Sequence, residues 1–148
     1  MLPEWIDFNG HLRDAYYVVV LSLATDSLMD RLGLDAEYRA RTRCTLYTLE
    51  MHMHWLHEVK GTETLEVDAH LLASDAKRLH VGFDVRVIGR PEVVATAEFM
   101  LLHVRQGETP AAAPFPPAVE QNIAAFKAAS GAAAWAGPAS RALALGKR

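Results

Sequence analysis

The stretch Asp7-Phe8-Asn9-Gly10-His11 gathers a carboxylate, a turn-forming pair and an imidazole just ahead of an apolar run that begins at Ala15. A carboxylate held beside a helix start can do carbonyl chemistry. Ionised Asp7 can attack a carbonyl carbon, or deprotonate a water that does. The oxyanion that forms needs donors aimed at it. The first-turn N–H groups of a helix have no helical acceptor, and those of Asp14, Ala15 and Tyr16 are the candidates here. A helix N-terminus also favours the ionised form of Asp7. Gly10 lets the chain turn without a Cβ in the way. His11 either orients the carbonyl or hydrogen-bonds nearby backbone to fix the turn. The bland alternative makes Asp7 a turn cap and Asn9-Gly10 ordinary turn chemistry.

Other residues add to the list. Glu50 and His52 share the polar side of an alternating stretch, with His54 two residues on. A His-x-His pair suggests a metal, but no third ligand has fitting spacing, so no metal site is expected. Lys77 and Arg78 form a pair of cations at a polar connection, suited to phosphate groups. Trp5, Tyr16, Tyr17 and Trp55 are aromatic faces that can hold a quaternary ammonium group, and at least one of the two tyrosines is expected to face a pocket.

These residues need elements to position them. Ala15, Val18, Val19, Val20, Leu21, Leu23 and Ala24 leave few polar faces, which predicts a helix buried on all sides in its first half. Asp14 is its expected N-cap, and Gly33 its stop. Asp35 to Thr42 reads as a charged, solvated connector. Thr45 to Trp55 alternates, with Leu49, Met51, Met53 and Trp55 on one side and Thr48, Glu50, His52 and His54 on the other. Leu65 to Leu71 and Leu79 to Val87 alternate in the same way. Val93 to Val104 is apolar on both sides, as in a central strand. Short connections such as Lys60-Gly61-Thr62 and Gly89-Arg90-Pro91 favour an antiparallel sheet.

At 148 residues and 51% hydrophobic content the chain has enough to form one core. The net charge of −3 argues against a nucleic-acid partner. The single Cys44 forms no internal disulfide, which makes a cytoplasmic setting the expectation. No apolar run approaches the roughly 20 residues that span a bilayer, so no membrane role is expected. Pro110 to Pro117 holds four of the seven prolines and predicts no regular element. Val119, Ile123 and Phe126 predict a short amphipathic helix over 118–129. The Ala- and Gly-rich segment beyond reads as a flexible tail. Three divisions follow: 1–106, 107–129 with the Pro-rich segment and helix, and the tail 130–148.

The Asp7-to-His11 motif ahead of a long helix resembles hotdog-fold thioesterases of the 4-hydroxybenzoyl-CoA type. The order of one early helix and four strands matches to about Val104. Pro3-Glu4-Trp5-Ile6-Asp7, Ala15-Tyr16-Tyr17, Asp75-Ala76-Lys77-Arg78-Leu79-His80 and Pro114-Phe115-Pro116 are similar to the thioesterases of carnitine degradation. Arg13-Asp14 stands where that family has Asn-Asn, and its first strand has almost no room here. The resemblance implies an α+β hotdog fold, an antiparallel sheet wrapped around one long helix. It implies hydrolysis of a short acyl-CoA, which for the carnitine-degradation group is betainyl-CoA, with Asp7 as base or nucleophile. Coenzyme A is then part of the substrate and no separate cofactor is required. Hotdog sites typically form between subunits, so Glu50 and His52 are expected to approach Asp7 from a neighbour. A homodimer or tetramer is expected, because a lone protomer leaves a sheet edge open. Two alternatives keep the fold. One is a hydratase or dehydratase using His52 with Glu50. The other is a non-catalytic acyl-CoA-binding module.

Overall fold

A computed structural model describes residues 1–130 and 135–138. The central helix, α1 (Asp14–Arg31), buries Tyr17, Leu21, Thr25, Leu28 and Met29. Their spacing is that of a single helical stripe. The expectation of burial on all sides is therefore corrected: Val19 is 39% exposed and Leu23 55%. Arg13, extended at ψ 144°, is the N-cap, and Asp14 is the first helical residue rather than the cap. Gly33 ends the helix at φ +80°, with Leu34 N–H donating to Met29 O at 2.9 Å. Only glycine adopts that conformation cheaply, and it satisfies a carbonyl the helix leaves open.

The presumed connector is a second helix, α2 (Ala36–Thr42). Asp35 caps it by accepting from Tyr38 N–H at 2.8 Å. Buried Tyr38 anchors it through a 2.9 Å hydrogen bond between its hydroxyl and His103 Nε2. One aromatic anchor in a charged segment too short for a helical period explains why the sequence reads as loop.

Four long strands follow: β1 (Cys44–Trp55), β2 (Leu65–Ser74), β3 (Arg78–Val87) and β4 (Val93–Arg105). They are antiparallel in the order β1-β4-β3-β2. As expected, β4 is central. A two-residue strand, β5 (Ala111–Ala112), pairs antiparallel with the end of β4 from inside the proline-rich segment, where no element was expected. In register, Leu79, Val81, Phe83 and Val85 face Leu101, Phe99, Ala97 and Ala95. With Leu21 and Leu28 of α1 they form the core. This is the hotdog arrangement. A bulge between Thr48 and Glu50 leaves Leu49 without a register partner, which breaks the simple alternation expected along β1. No strand precedes α1 among the described residues; Ile6 makes a lone bridge to Leu12.

The other sheet face is unusually polar for a buried surface. His80 Nε2 lies 2.7 Å from Glu98 Oε2. His70 Nε2 lies 3.2 Å from Asp84 Oδ2, though without hydrogen-bond geometry.

The third helix, α3 (Pro117–Ser130), buries Val119, Ile123 and Phe126, the residues its periodicity picks out. Most of the expected flexible tail, 131–134 and 139–148, lies outside the described residues. Its described part is held: the Trp135 indole N–H donates to Phe83 O at 3.3 Å, and the ring lies over Gly82. No described helix is long and apolar enough to cross a membrane.

Candidate active site

Two segments far apart in sequence build the Asp7 loop. Leu12 N–H donates to Val59 O at 2.8 Å, and Gly61 N–H to Gly10 O at 3.0 Å. His11 and Lys60 form an antiparallel bridge. Within the loop, Asp7 N–H donates to His11 O at 2.8 Å and Gly10 N–H to Asp7 O at 3.1 Å. Gly10 sits at φ +83°, which the tight reversal requires. Gly61 is needed for another reason: a Cβ there would lie 2.8 Å from Ile6 Cγ1. Arg90 braces the far side. It donates to Glu58 O at 3.1 Å and pairs with the Glu63 carboxylate. The Lys60 N–H, followed by Arg90, holds the Glu63 carboxyl below its usual range.

The two oxygens of Asp7 are unequal. Oδ1 accepts from Asn9 N–H at 2.8 Å and His11 N–H at 2.9 Å. Oδ2 has only a 3.4 Å contact from Asn9 Nδ2. The His11 N–H above all keeps the Asp7 carboxyl below the usual carboxylate range, against the opposing pull of desolvation and with help from Asn9. Asp7 is therefore a formed carboxylate with one oxygen nearly uncommitted.

Asp7 opens on a cavity of about 290 Å³ lined also by His11, Asp14, Tyr17, Trp55 and Glu58. His11 Nε2 is 3.5 Å from Glu58 Oε2. Burial, followed by the charge of Glu63, pushes the Tyr17 phenol up to about 12, so the ring stays neutral. Of the three helix-start amides, two are engaged. Ala15 N–H donates to Asp14 Oδ1 at 2.8 Å, and Tyr16 N–H to Arg13 O at 3.0 Å. Asp14 N–H has no acceptor among the described residues.

The cavity brings together Asp7, Asn9, His11 and Tyr17, with Gly10 in the same loop. Tyr16 is elsewhere, stacked on Trp5 at 5.4 Å between ring centroids. Glu50 and His52, 3.2 Å apart, lie on the polar sheet face with Glu98, away from α1; within one protomer they do not meet Asp7. Lys77 and Arg78 precede or begin β3 opposite Leu102, whereas Trp55 pairs with Ala95 at the other end of the sheet. Arg78 is also tied to Asp75 at 2.6 Å, while the Lys77 side chain is exposed. Among the described residues no group of three or more His, Cys, Asp or Glu is placed to hold a metal ion.

Sequence reasoning missed Leu56, His57 and Glu58 as cavity walls, and Val59, Gly61 and Arg90 as supports. Lys60-Gly61 reads correctly as a turn, but no local signal says that it pairs with the Asp7 loop. A larger cavity, about 800 Å³, lies between α1, α3 and β2 and includes Leu23, Val67 and Phe126. It has no carboxylate beside a helix start, so the smaller one is the candidate site.

The model of the thioesterase-like superfamily matches residues 1–123. The chain is 48% identical to the betainyl-CoA thioesterase of Pseudomonas aeruginosa over 115 residues, covering 78% of this chain and 72% of that one. It is 45% identical over 100 residues to the L-carnitine dehydrogenase/betainyl-CoA thioesterase of Agrobacterium fabrum, covering 68% of this chain and 20% of that longer one. A solved Pseudomonas putida structure aligns at TM-score 0.83 and 38% identity, over 99% of this chain and 93% of that one. A Staphylococcus aureus protein solved in complex with CoA aligns at TM-score 0.84 and 27% identity, over 91% and 84%.

Proposed function

The chain belongs to the thioesterase-like superfamily, and from that premise we propose that its Asp7 cavity releases coenzyme A from betainyl-CoA or a similarly short acyl-CoA. The protein is an acyl-CoA thioesterase, a thioester hydrolase. One observation carries the site assignment: an ionised carboxylate with a nearly uncommitted oxygen lines a cavity beside the start of α1.

The chemistry follows from that arrangement. Asp7 Oδ2 takes a proton from water as the water oxygen bonds to the thioester carbon. The carbonyl π pair moves to oxygen, and the Asp14 N–H at the helix start is the donor available to it. Collapse breaks the C–S bond, and the thiolate recovers the proton from Asp7. In the direct variant, Asp7 Oδ2 itself bonds to the carbon and expels the thiolate, and water then splits the anhydride. His11 orients the carbonyl or the water in either route. Asn9 fixes the carboxylate.

The reading extends to the surroundings of the site. Tyr17 is the tyrosine that faces the acyl group, and Lys77 offers a cation to the phosphates of coenzyme A. Partner copies bring the site to completion in a homodimer or a tetramer, with Glu50 and His52 approaching Asp7 from a neighbour. The lone thiol of Cys44 suits a reducing cytoplasm. The test is thiol release across a panel of acyl-CoA compounds that includes betainyl-CoA. Turnover of betainyl-CoA is expected, and an absence of thiol release from it and from every other short acyl-CoA in the panel would overturn this reading.

A further inference from the structure

The lining of the Asp7 cavity has a composition that hydrolysis alone does not require. Asp7, Asp14 and Glu58 contribute carboxylates, and none of the lining residues is Lys or Arg. Tyr17 and Trp55 contribute aromatic rings to the same small space. Trp5 and Tyr16 are stacked on each other. Trp55 is 52% exposed at the end of β1, so this chain leaves much of its surface uncovered.

A quaternary ammonium group has no N–H to donate. It is held by aromatic faces and by a diffuse negative field. In an ammonioacetyl thioester the cation sits one methylene from the reacting carbonyl. Its binding groups must therefore share a cavity with the catalytic carboxylate, as Trp55 and Glu58 do with Asp7. Resting on the betainyl-CoA reading above, we propose that Trp55 and Glu58 are the residues that select a trimethylammonium acyl group, Trp55 by its ring and Glu58 by its charge. Tyr17 forms the opposite wall as an uncharged ring. Asp14 adds negative charge at the helix start. The same three carboxylates disfavour acyl groups that end in a carboxylate.

The experiment compares kcat/KM for betainyl-CoA with that for its neutral isostere, 3,3-dimethylbutanoyl-CoA, in which carbon replaces the ammonium nitrogen. The parent protein is expected to prefer the cation by about tenfold or more, the scale of a ring-held ammonium group. Trp55→Leu should lose more on the cation than on the isostere, so that the preference falls by about tenfold, mainly through KM. Trp55→Phe should keep most of it. Glu58→Gln should lower it by about threefold, a partly screened charge effect. Equal rates for the two substrates in the parent protein, or an unchanged preference in Trp55→Leu, overturn the proposal while leaving the hydrolase reading intact. An absence of betainyl-CoA turnover overturns the proposal together with the betainyl-CoA reading, and thiol release from other short acyl-CoA compounds would then leave only the hydrolase reading.

Discussion

At the scale of single residues, the asymmetry of the Asp7 carboxylate has consequences that can be measured. Oδ1 is committed to two backbone N–H groups, so Asp7 cannot rotate freely, and Oδ2 is left to accept a proton. Asp7→Asn retains the size and the acceptor oxygen but removes the charge. It should fold with a slightly lower melting temperature, because the charge accepts the Asn9 and His11 N–H groups, and lose about 10²-fold or more in kcat, the usual scale for removing a catalytic base. Full activity in that variant would remove Asp7 from the mechanism. The pH dependence has a definite sign. A carboxyl whose folded pKa is lowered is ionised at every pH above that value, and loses its charge only as pH falls through it. Asp7 should therefore produce no fall in kcat/KM between pH 8 and about 5, because its titration lies below the ordinary value of about 3.9. An acid limb centred near pH 6 that disappears in Asp7→Asn would contradict this. The motif itself is legible in the sequence because its spacing is local. The amides that remain available at the helix start are not, since Asp14 folds back on Ala15 and Arg13 O takes Tyr16.

At the scale of elements, strands with one apolar face announce themselves. Leu65-Val67-Ala69-Leu71 and Leu79-Val81-Phe83-Val85-Val87 alternate without interruption, and the register pairs them as the pattern requires. What stays hidden depends on contacts distant in sequence. The Leu49 bulge is imposed by pairing with β4, α2 is pinned by His103, and the Asp7 loop is held by residues 59–61. That last contact makes a prediction. In Gly61→Ala the new methyl would meet Ile6, the residue next to Asp7. Overpacking of this kind typically costs about 1–3 kcal/mol. The strain lies in the loop rather than the core, so activity should fall by more than stability would suggest. Kinetics and thermal denaturation on the same preparation check this; unchanged kcat/KM would show that the loop absorbs the methyl. Arg90→Ala is the companion variant, expected to lower the melting temperature and raise KM by freeing Glu63 and the Glu58 carbonyl. The core offers a contrast. Phe83 is fully buried and meets Phe99 edge-on at 5.2 Å. Phe83→Ala should cost about 3–5 kcal/mol in urea unfolding and, where the fold survives, leave the pH profile unaltered.

At the scale of the whole molecule, one edge of the sheet carries exposed apolar side chains. β1 is an outer strand of the sheet and runs for 12 residues. Tyr47, Leu49, Met51 and Trp55 are exposed on it, with Leu56 just beyond. On α1, Val19 and Leu23 are exposed as well. A long strand edge that carries apolar side chains invites another strand, and natural sheets blunt such edges when they must stay single. No lysine or proline does so within β1. Leu23 lies instead toward β2, at the opposite edge of the sheet, where it lines the larger cavity. Trp55 links the β1 edge to the Asp7 cavity, because it belongs to both. Pairing along β1 would thus complete a wall of the site, and association and turnover should rise and fall together. Light scattering at micromolar concentration should give at least twice the mass of one chain. The double change Leu49→Lys and Met51→Lys places like charges along the edge and should yield a monomer. That monomer should keep its circular dichroism, because neither side chain belongs to the core cluster. Its kcat/KM should fall by about tenfold or more, as expected when a wall that positions the substrate is lost. A fully active monomer would show that one protomer holds a complete site.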